Sequence, residues 1–176
     1  MASACMAGPL PRRWAHVQAV AAKADSLRPA AGSDGNLLVM AAWLHDIGYA
    51  SSVVETGFHP LDGARYLRGL GADARLCNLV ANHSGAVREA ALRGLSEDMD
   101  EFPDEASFPR DAVWYCDMTT SPAGEPVTFD TRLAEIWDRY GPDHTVPRAI
   151  SASANDIRAA IARVQRQMEA VGAVAD

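Results

Sequence analysis

Apolar residues recur at intervals of three and four positions along most of this chain, which is the spacing of an amphipathic helix. The last segment shows it clearly, with Ile157, Ile161 and Val164 on one face. No internal repeat and no strand pattern is visible, and 33 alanines favour helix almost throughout. The pattern predicts an all-α fold with helices over residues 12–27, 37–47, 60–70, 72–82, 86–95, 110–117, 129–140 and 155–171.

The helices divide the chain into three parts. Residues 1–11 contain two prolines and no continuous apolar stretch, so we expect a flexible N-terminus rather than a secretion signal. Residues 12–124 should form the core of a single domain, and the helices in residues 125–176 should pack on that same domain. Between two predicted helices, residues 96–107 are rich in aspartate and glutamate and are expected to form a solvated loop.

Composition excludes several classes of protein. With 48% apolar and 22% charged residues, the chain is neither disordered nor a coiled coil. No apolar run approaches the roughly 20 residues of a membrane span, so we expect no membrane partner. The net charge of -7, with Lys23 as the single lysine, disfavours nucleic acid as a partner. Three cysteines without a CxxC spacing indicate a reducing compartment, which predicts a cytoplasmic protein.

Polar residues on apolar helix faces are the most informative feature. Asp46 follows Ala42 by four residues within a helix predicted to be buried, and Asp117 follows Val113 by the same interval. A bare carboxylate in such surroundings costs several kcal/mol unless it is neutralised, hydrogen-bonded or bound to a cation. His45 lies beside Asp46 in the same buried helix. The side chains at these positions therefore need a hydrogen-bond partner, a neutralising charge or a bound cation.

Two interpretations are open for these residues. Taken singly, each histidine fits a core residue bonded to a backbone carbonyl, and each aspartate fits a helix cap or an arginine pair. Taken together, four of the five histidines and two aspartates need an explanation for their burial, and a metal site explains all six. These six candidates are His16, His45, Asp46, His59, His83 and Asp117. The fifth histidine, His144, lies on no apolar face and is expected at the surface.

The order of these residues resembles the HD-domain superfamily of metal-dependent phosphohydrolases. The resemblance covers residues 12–124 and rests on His16, the doublet in Ala-Trp-Leu-His45-Asp46-Ile-Gly, and Asp117. His59 in Phe-His-Pro-Leu-Asp and His83 in Ala-Asn-His-Ser-Gly resemble the two additional histidines of the dinuclear branch. That branch includes phosphodiesterases, dinucleoside polyphosphate hydrolases and some di-iron oxygenases.

The resemblance implies a ligand assignment. His16, His45, Asp46 and Asp117 would hold one metal ion, and Asp46 would bridge to a second ion held by His59 and His83. His45 and Asp46 would then be the residues central to catalysis. A ligand set rich in imidazole suits transition metals, so we expect two divalent ions, either iron or manganese, with cobalt, nickel or zinc as alternatives.

Phosphate recognition is where the chain departs from the family. Many members carry a lysine shortly after the His-Asp doublet, whereas this chain reads Gly48-Tyr49 there. Tyr49 is a candidate to contact the substrate through a hydrogen bond, but it brings no positive charge. Arg65 and Arg68, on the helix that His59 opens, are candidates to supply that charge. The alternative is that both arginines are solvated on an exposed helix face.

Three functions are compatible with these residues. The resemblance implies a phosphohydrolase that acts on a small phosphorylated compound, such as a nucleotide, through a metal-activated water. The first alternative is a di-iron oxygenase with the same ligands. The second is a regulatory domain that binds metal without turnover and uses residues 96–107 as its partner surface.

Overall fold

Helices make up nearly all the regular structure of the computed structural model, which describes residues 2–175. Within these residues no β-strand forms, and pairing is limited to an isolated bridge between Thr120 and Pro126. The all-α prediction is therefore confirmed. The helices are α1 (Ala2–Met6), α2 (Pro11–Ser26), α3 (Arg28–Ala31), α4 (Gly35–Leu44), α5 (His59–Gly69), α6 (Ala74–Ala81), α7 (Ala86–Arg93), α8 (Ser96–Met99), α9 (Phe108–Met118), α10 (Phe129–Tyr140), α11 (Thr145–Ala152) and α12 (Ala154–Ala175).

Side-chain caps fix where several of these helices begin. The Asp73 carboxylate accepts hydrogen bonds from two backbone N–H groups in the first turn of α6, and Ser107 accepts one at the start of α9. Thr128 caps α10, since its hydroxyl accepts a hydrogen bond from the N–H of Thr131. Each cap satisfies backbone donors that have no partner within the helix.

Two apolar clusters hold the helices together. The larger one is formed by α2, α4, α5, α6 and α9, with Val17, Leu38 and Leu61 fully buried in it. The second cluster joins α9 to the C-terminal helices through Trp114 and Ile157. Helix α9 takes part in both clusters and so connects the two halves of the bundle. Among residues 2–175, none of the helices combines the length and apolar character that crossing a bilayer would require.

The N-terminal segment is more ordered than the sequence indicated. Residues 1–11 were expected to be flexible, but residues 2–6 form α1, which packs on α2. The side chain of Met6 is fully buried and belongs to the larger apolar cluster. Burial of this one large apolar side chain stabilises the folded segment, and the prolines in the sequence did not indicate this. Met1 lies outside the described residues.

The acidic segment 96–107 is not the solvated loop that the sequence indicated. It contains α8, and the side chains of Met99 and Phe102 are buried against the rest of the protein. The amide of Asn82 donates to the backbone carbonyl of Phe102, which ties the segment to the end of α6. Three acidic residues that flank these buried side chains, Asp98, Asp104 and Glu105, pair with arginines of neighbouring helices.

Candidate metal centre

The six predicted ligands come from separate elements and meet at one place in the bundle. His16 lies on α2 and Asp117 on α9, whereas His59 is the first residue of α5. His83 opens a short 3₁₀ turn after α6. The doublet follows the end of α4, which stops at Leu44 rather than at residue 47 as predicted. Asp46 therefore lies outside the helix, just before the 3₁₀ turn Ile47–Tyr49, and its carboxylate lies between two groups of ligands.

The ligand atoms form two groups of three. In each group, one ligand atom from every residue lies within 4.8 Å of the others. The first group contains His16, His45 and Asp117, and the second contains Asp46, His59 and His83. Asp46 faces both groups, because its Oδ2 is 3.4 Å from Nε2 of His45 while its Oδ1 is 3.4 Å from Nε2 of His59. This placement suits a carboxylate that bridges two cations.

Hydrogen bonds to the backbone fix three of the imidazoles. In each of them, Nδ1 lies within hydrogen-bond distance of a carbonyl oxygen and must carry a proton to make that bond. In the neutral ring Nε2 is then left with a lone pair, the arrangement typical of a metal-ligating histidine. The three pairs are His16 with Ser121 at 3.0 Å, His45 with Ala42 at 2.8 Å and His83 with Val80 at 2.6 Å.

The atoms that meet in the cluster need positive charge between them. Nε2 of His45 is buried without a hydrogen-bond partner among the described residues. Nε2 of His16 lies 3.0 Å from Oδ1 of Asp117, so two lone pairs face each other unless a cation or a proton intervenes. A proton would stabilise one such contact between two lone pairs, whereas metal ions would stabilise all the contacts between ligand atoms in the cluster. The donors, four imidazoles and two carboxylates, fit transition-metal ions.

The pKa values of the buried groups reflect the same demand for charge. Burial lowers the pKa of His45, but the carboxylates of Asp46 and Asp117 outweigh burial and raise it to about 9. Burial works in the opposite direction on Asp46, and Arg13 and His45 nevertheless hold the pKa of that carboxyl well below its usual range. For His59, burial dominates and lowers the pKa well below its usual value.

Close backbone packing holds the doublet against α5. A Cβ atom built on Gly48 would lie 2.8 Å from the backbone nitrogen of Gly63 and closer still to the carbonyl oxygen of His59. Only glycine therefore allows the 3₁₀ turn Ile47–Tyr49 to sit against α5. The buried carboxylate of Asp62 accepts bonds from the backbone N–H groups of residues 55–57 and so orders the loop that precedes His59.

The turn His83–Gly85 positions both a histidine and an aspartate. Ser84 has a left-handed backbone with φ of 51°, which is uncommon for a residue that carries a side chain. Its hydroxyl donates a hydrogen bond to Oδ2 of Asp117 and thus orients that carboxylate. The neighbouring Gly85 packs so tightly on α11 that a Cβ there would lie 2.6 Å from Cβ of Ser153. Such local strain is typical of functional sites.

A cleft of about 70 Å³ gives access to the cluster. Its floor includes Asp46, His59, His83 and Asp117, and the walls come from α2, α10 and α11. Tyr49, predicted to contact substrate, lines this cleft and stacks on the ring of His59 with centroids 4.0 Å apart.

Arg65 and Arg68 do not reach this cleft. Nη2 of Arg65 lies 2.5 Å from Oδ1 of Asp98, and both guanidinium groups pair with Glu101. Neither arginine is among the residues that line the cleft. The structure therefore does not bring these two predicted substrate-binding residues to the cleft, and the acidic segment 96–107 takes up their charge.

Three other arginines line the cleft instead, and the sequence pattern did not reveal them. They are Arg13, Arg132 and Arg139. Nη1 of Arg13 lies 2.8 Å from Oδ2 of Asp46, and its guanidinium covers the ring of Tyr49 at 3.9 Å from the centroid. Arg13 precedes His16 by three residues on the same helix face, which was the available signal for it. No comparable signal existed for the two arginines of α10.

Comparison with known protein families gave a single result. The family model described as HD domain matches residues 13–143, which is about three quarters of the chain and extends past residue 124 into α10. Searches of curated proteins and of solved structures found no match. The matched range contains all six residues of the cluster.

Proposed function

Because this chain belongs to the HD-domain family, we propose that it is a metal-dependent phosphohydrolase that acts on a small phosphorylated compound, such as a nucleotide. The observation that supports this most directly is the position of Asp46, whose two oxygens face two separate groups of ligand atoms. A single ion would not need both groups. The proposal therefore includes a dinuclear centre, with iron or manganese as the expected ions.

Each ligand in the proposal has a defined place. His16, His45 and Asp117 would hold one ion, His59 and His83 the other, and Asp46 would bridge them. When bound, two such ions lower the pKa of a water molecule enough to make it a nucleophile near neutral pH and polarise the phosphoryl group. The backbone carbonyls that fix Nδ1 of three histidines keep the ligand nitrogens in place without further rearrangement.

The residues above the cluster would bind and orient the phosphoryl group. Arg13 carries a permanent positive charge at the edge of the cleft and is held there by Asp46. Burial raises the pKa of Tyr49 well above its usual value, so its hydroxyl keeps its proton at neutral pH and donates hydrogen bonds. Together these two residues would replace the lysine that many family members place after the doublet.

The arginines favour a phosphohydrolase over a di-iron oxygenase with the same ligands. Arg13, held beside Asp46, is suited to the phosphoryl group, and Arg132 and Arg139 add positive charge toward the outer side of the cleft; oxygen chemistry needs none of these charges. A regulatory role for residues 96–107 gains little support, because arginines of the same protein already pair with the acidic groups of that segment.

A phosphoester substrate panel, run with manganese and with iron in air and without oxygen, tests the proposal. We expect turnover with both metals, and we expect it to persist without oxygen. His45→Ala and Asp117→Asn should abolish it, whereas the exposed His144→Ala and Asp130→Asn serve as matched controls and should not. Activity that required both iron and oxygen would overturn the proposal in favour of the oxygenase. A metal-loaded protein without turnover on any substrate would favour the regulatory domain.

A further inference from the structure

The cleft over the cluster is small and open. It has a volume of about 70 Å³, and Arg13, Arg132 and Arg139 are among its lining residues. If the proposed function is correct and the reacting phosphoryl group lies over the cluster, the rest of the substrate extends toward the mouth of the cleft. The residues there then decide which substrates are accepted.

A second cavity of about 420 Å³ adjoins the first. The two cavities share Arg13, Arg132 and Arg139, so these arginines stand at the boundary between them. Among the described residues that line the outer cavity, four are arginines and none is acidic. The outer cavity is lined by Pro9, Leu10, Pro11, Arg12, Arg13, His16, Pro122, Arg132 and Arg139.

The two arginines of α10 are not neutralised by their surroundings. Both pair with a single carboxylate, that of Glu135, so one positive charge is left over. The Arg132 side chain is only 9% exposed, and its Nε has no hydrogen-bond partner among the described residues. A buried guanidinium with an unpaired donor is costly, and two arginines that share one carboxylate carry excess positive charge; together they favour an anionic ligand beside them, which the outer cavity can hold.

Helix geometry places these groups on one side of α10. Arg132, Ile136 and Arg139 follow one another at intervals of four and three residues and therefore share a face. Ile136 is buried and packs in the second apolar cluster, which fixes that face toward the cleft. The core thus fixes the direction of this helix face, with Arg132 buried and Arg139 exposed.

We propose that the substrate carries a second phosphate group besides the one that is hydrolysed, and that Arg132 and Arg139 bind it in the outer cavity. Arg12, exposed at the rim, would add to the attraction. This inference rests on the proposed function for the position of the first phosphate. Arg132 and Arg139 are then specificity-determining residues, since a monophosphate would leave their charges without a partner.

Binding of paired analogues to the metal-loaded protein provides the test. The phosphonate analogue of a sugar monophosphate and that of the matching bisphosphate are not hydrolysed, and calorimetry gives their affinities without turnover. We expect the bisphosphonate to bind at least about tenfold more tightly, since a hydrogen bond to a charged group contributes about 1.5–3 kcal/mol. Arg139→Gln and Arg132→Gln should each remove most of that preference and leave the affinity for the monophosphonate within about twofold.

Controls keep the outcomes distinct. Arg158→Gln removes an exposed arginine that pairs with Asp130 outside both cavities and should change neither affinity. Substitution of the buried Arg132 can prevent folding. If the Arg132→Gln protein does not fold, the affinities of the Arg139→Gln protein alone decide the test. The inference, but not the proposed function, would be overturned if the arginine variants lost affinity equally for both analogues. It would also be overturned if the unsubstituted protein did not prefer the bisphosphonate. Failure of both analogues to bind the unsubstituted protein would count against both.

Discussion

Replacing Gly48 by alanine should move His59 away from Asp46. Atoms in contact lie about 3.5–4.0 Å apart, but a Cβ at residue 48 would lie only 2.8 Å from the backbone nitrogen of Gly63. Since backbone atoms cannot rotate away, the 3₁₀ turn and α5 must move apart by about 1 Å. This movement directly stretches the 3.4 Å approach between Oδ1 of Asp46 and Nε2 of His59.

The expected effects of Gly48→Ala are on stability and on metal content. Overpacking of this kind costs about 1–3 kcal/mol, and each kcal/mol lowers Tm by about 2–4 °C in a protein of this size. We therefore expect a fall of several degrees in the Tm of the metal-free protein. Elemental analysis should show weaker retention of the ion that His59 and His83 are proposed to hold, because the distance from His59 to Asp46 has changed.

The chain offers a matched control for this substitution. Gly69 is the last residue of α5, and a Cβ there would meet nothing within 4 Å. Gly69→Ala should leave the metal content unchanged and raise stability slightly, because alanine favours helix over glycine by about 0.5–1 kcal/mol. A Gly48→Ala protein that melts like the unsubstituted protein and keeps both ions would refute the reasoning.

Three further predictions concern the metal ions and their ligands. Asp46→Asn should lose both ions, His83→Ala mainly one and the exposed His144→Ala none; equal metal content in all three would contradict the bridging role. Removing metal with a chelator should lower Tm by roughly 5–10 °C, since a ligand at 100 times its Kd stabilises by about 2.7 kcal/mol; an unchanged melting curve would indicate that arginine alone satisfies the aspartates. In the metal-free protein, urea unfolding should show stability falling as pH rises from about 6.5 to about 9, because the raised pKa of His45 makes its protonated form stabilising; a flat profile would contradict this.

Most residues of the cluster could be singled out from the sequence because they violate a local rule. A charged or imidazole side chain on an apolar helix face requires a partner, and His16, His45 and Asp117 were recognised for that reason. Their convergence depends on helices that are far apart in sequence, so the spacing along the chain did not predict it. The resemblance to a family supplied that long-range information.

The turn around the doublet was not predictable from periodicity. Residues 37–47 are apolar nearly all round, and this pattern does not show that α4 ends at Leu44. The termination depends on Gly48, whose contact with α5 is a tertiary constraint. The end of a buried helix is set by what it packs against, and a repeating apolar pattern contains no information about that.

The arginines that line the cleft were missed for a related reason. The role of an arginine depends on the groups around it, and sequence proximity suggested Arg65 and Arg68 because they follow His59 on one helix. The structure shows that the segment 96–107 brings Asp98 and Glu101 to these two arginines, whereas α10 returns to the cleft from a distant part of the chain. An acidic segment near a candidate arginine is therefore evidence against that arginine as a phosphate ligand, because carboxylates of the same chain already neutralise its charge.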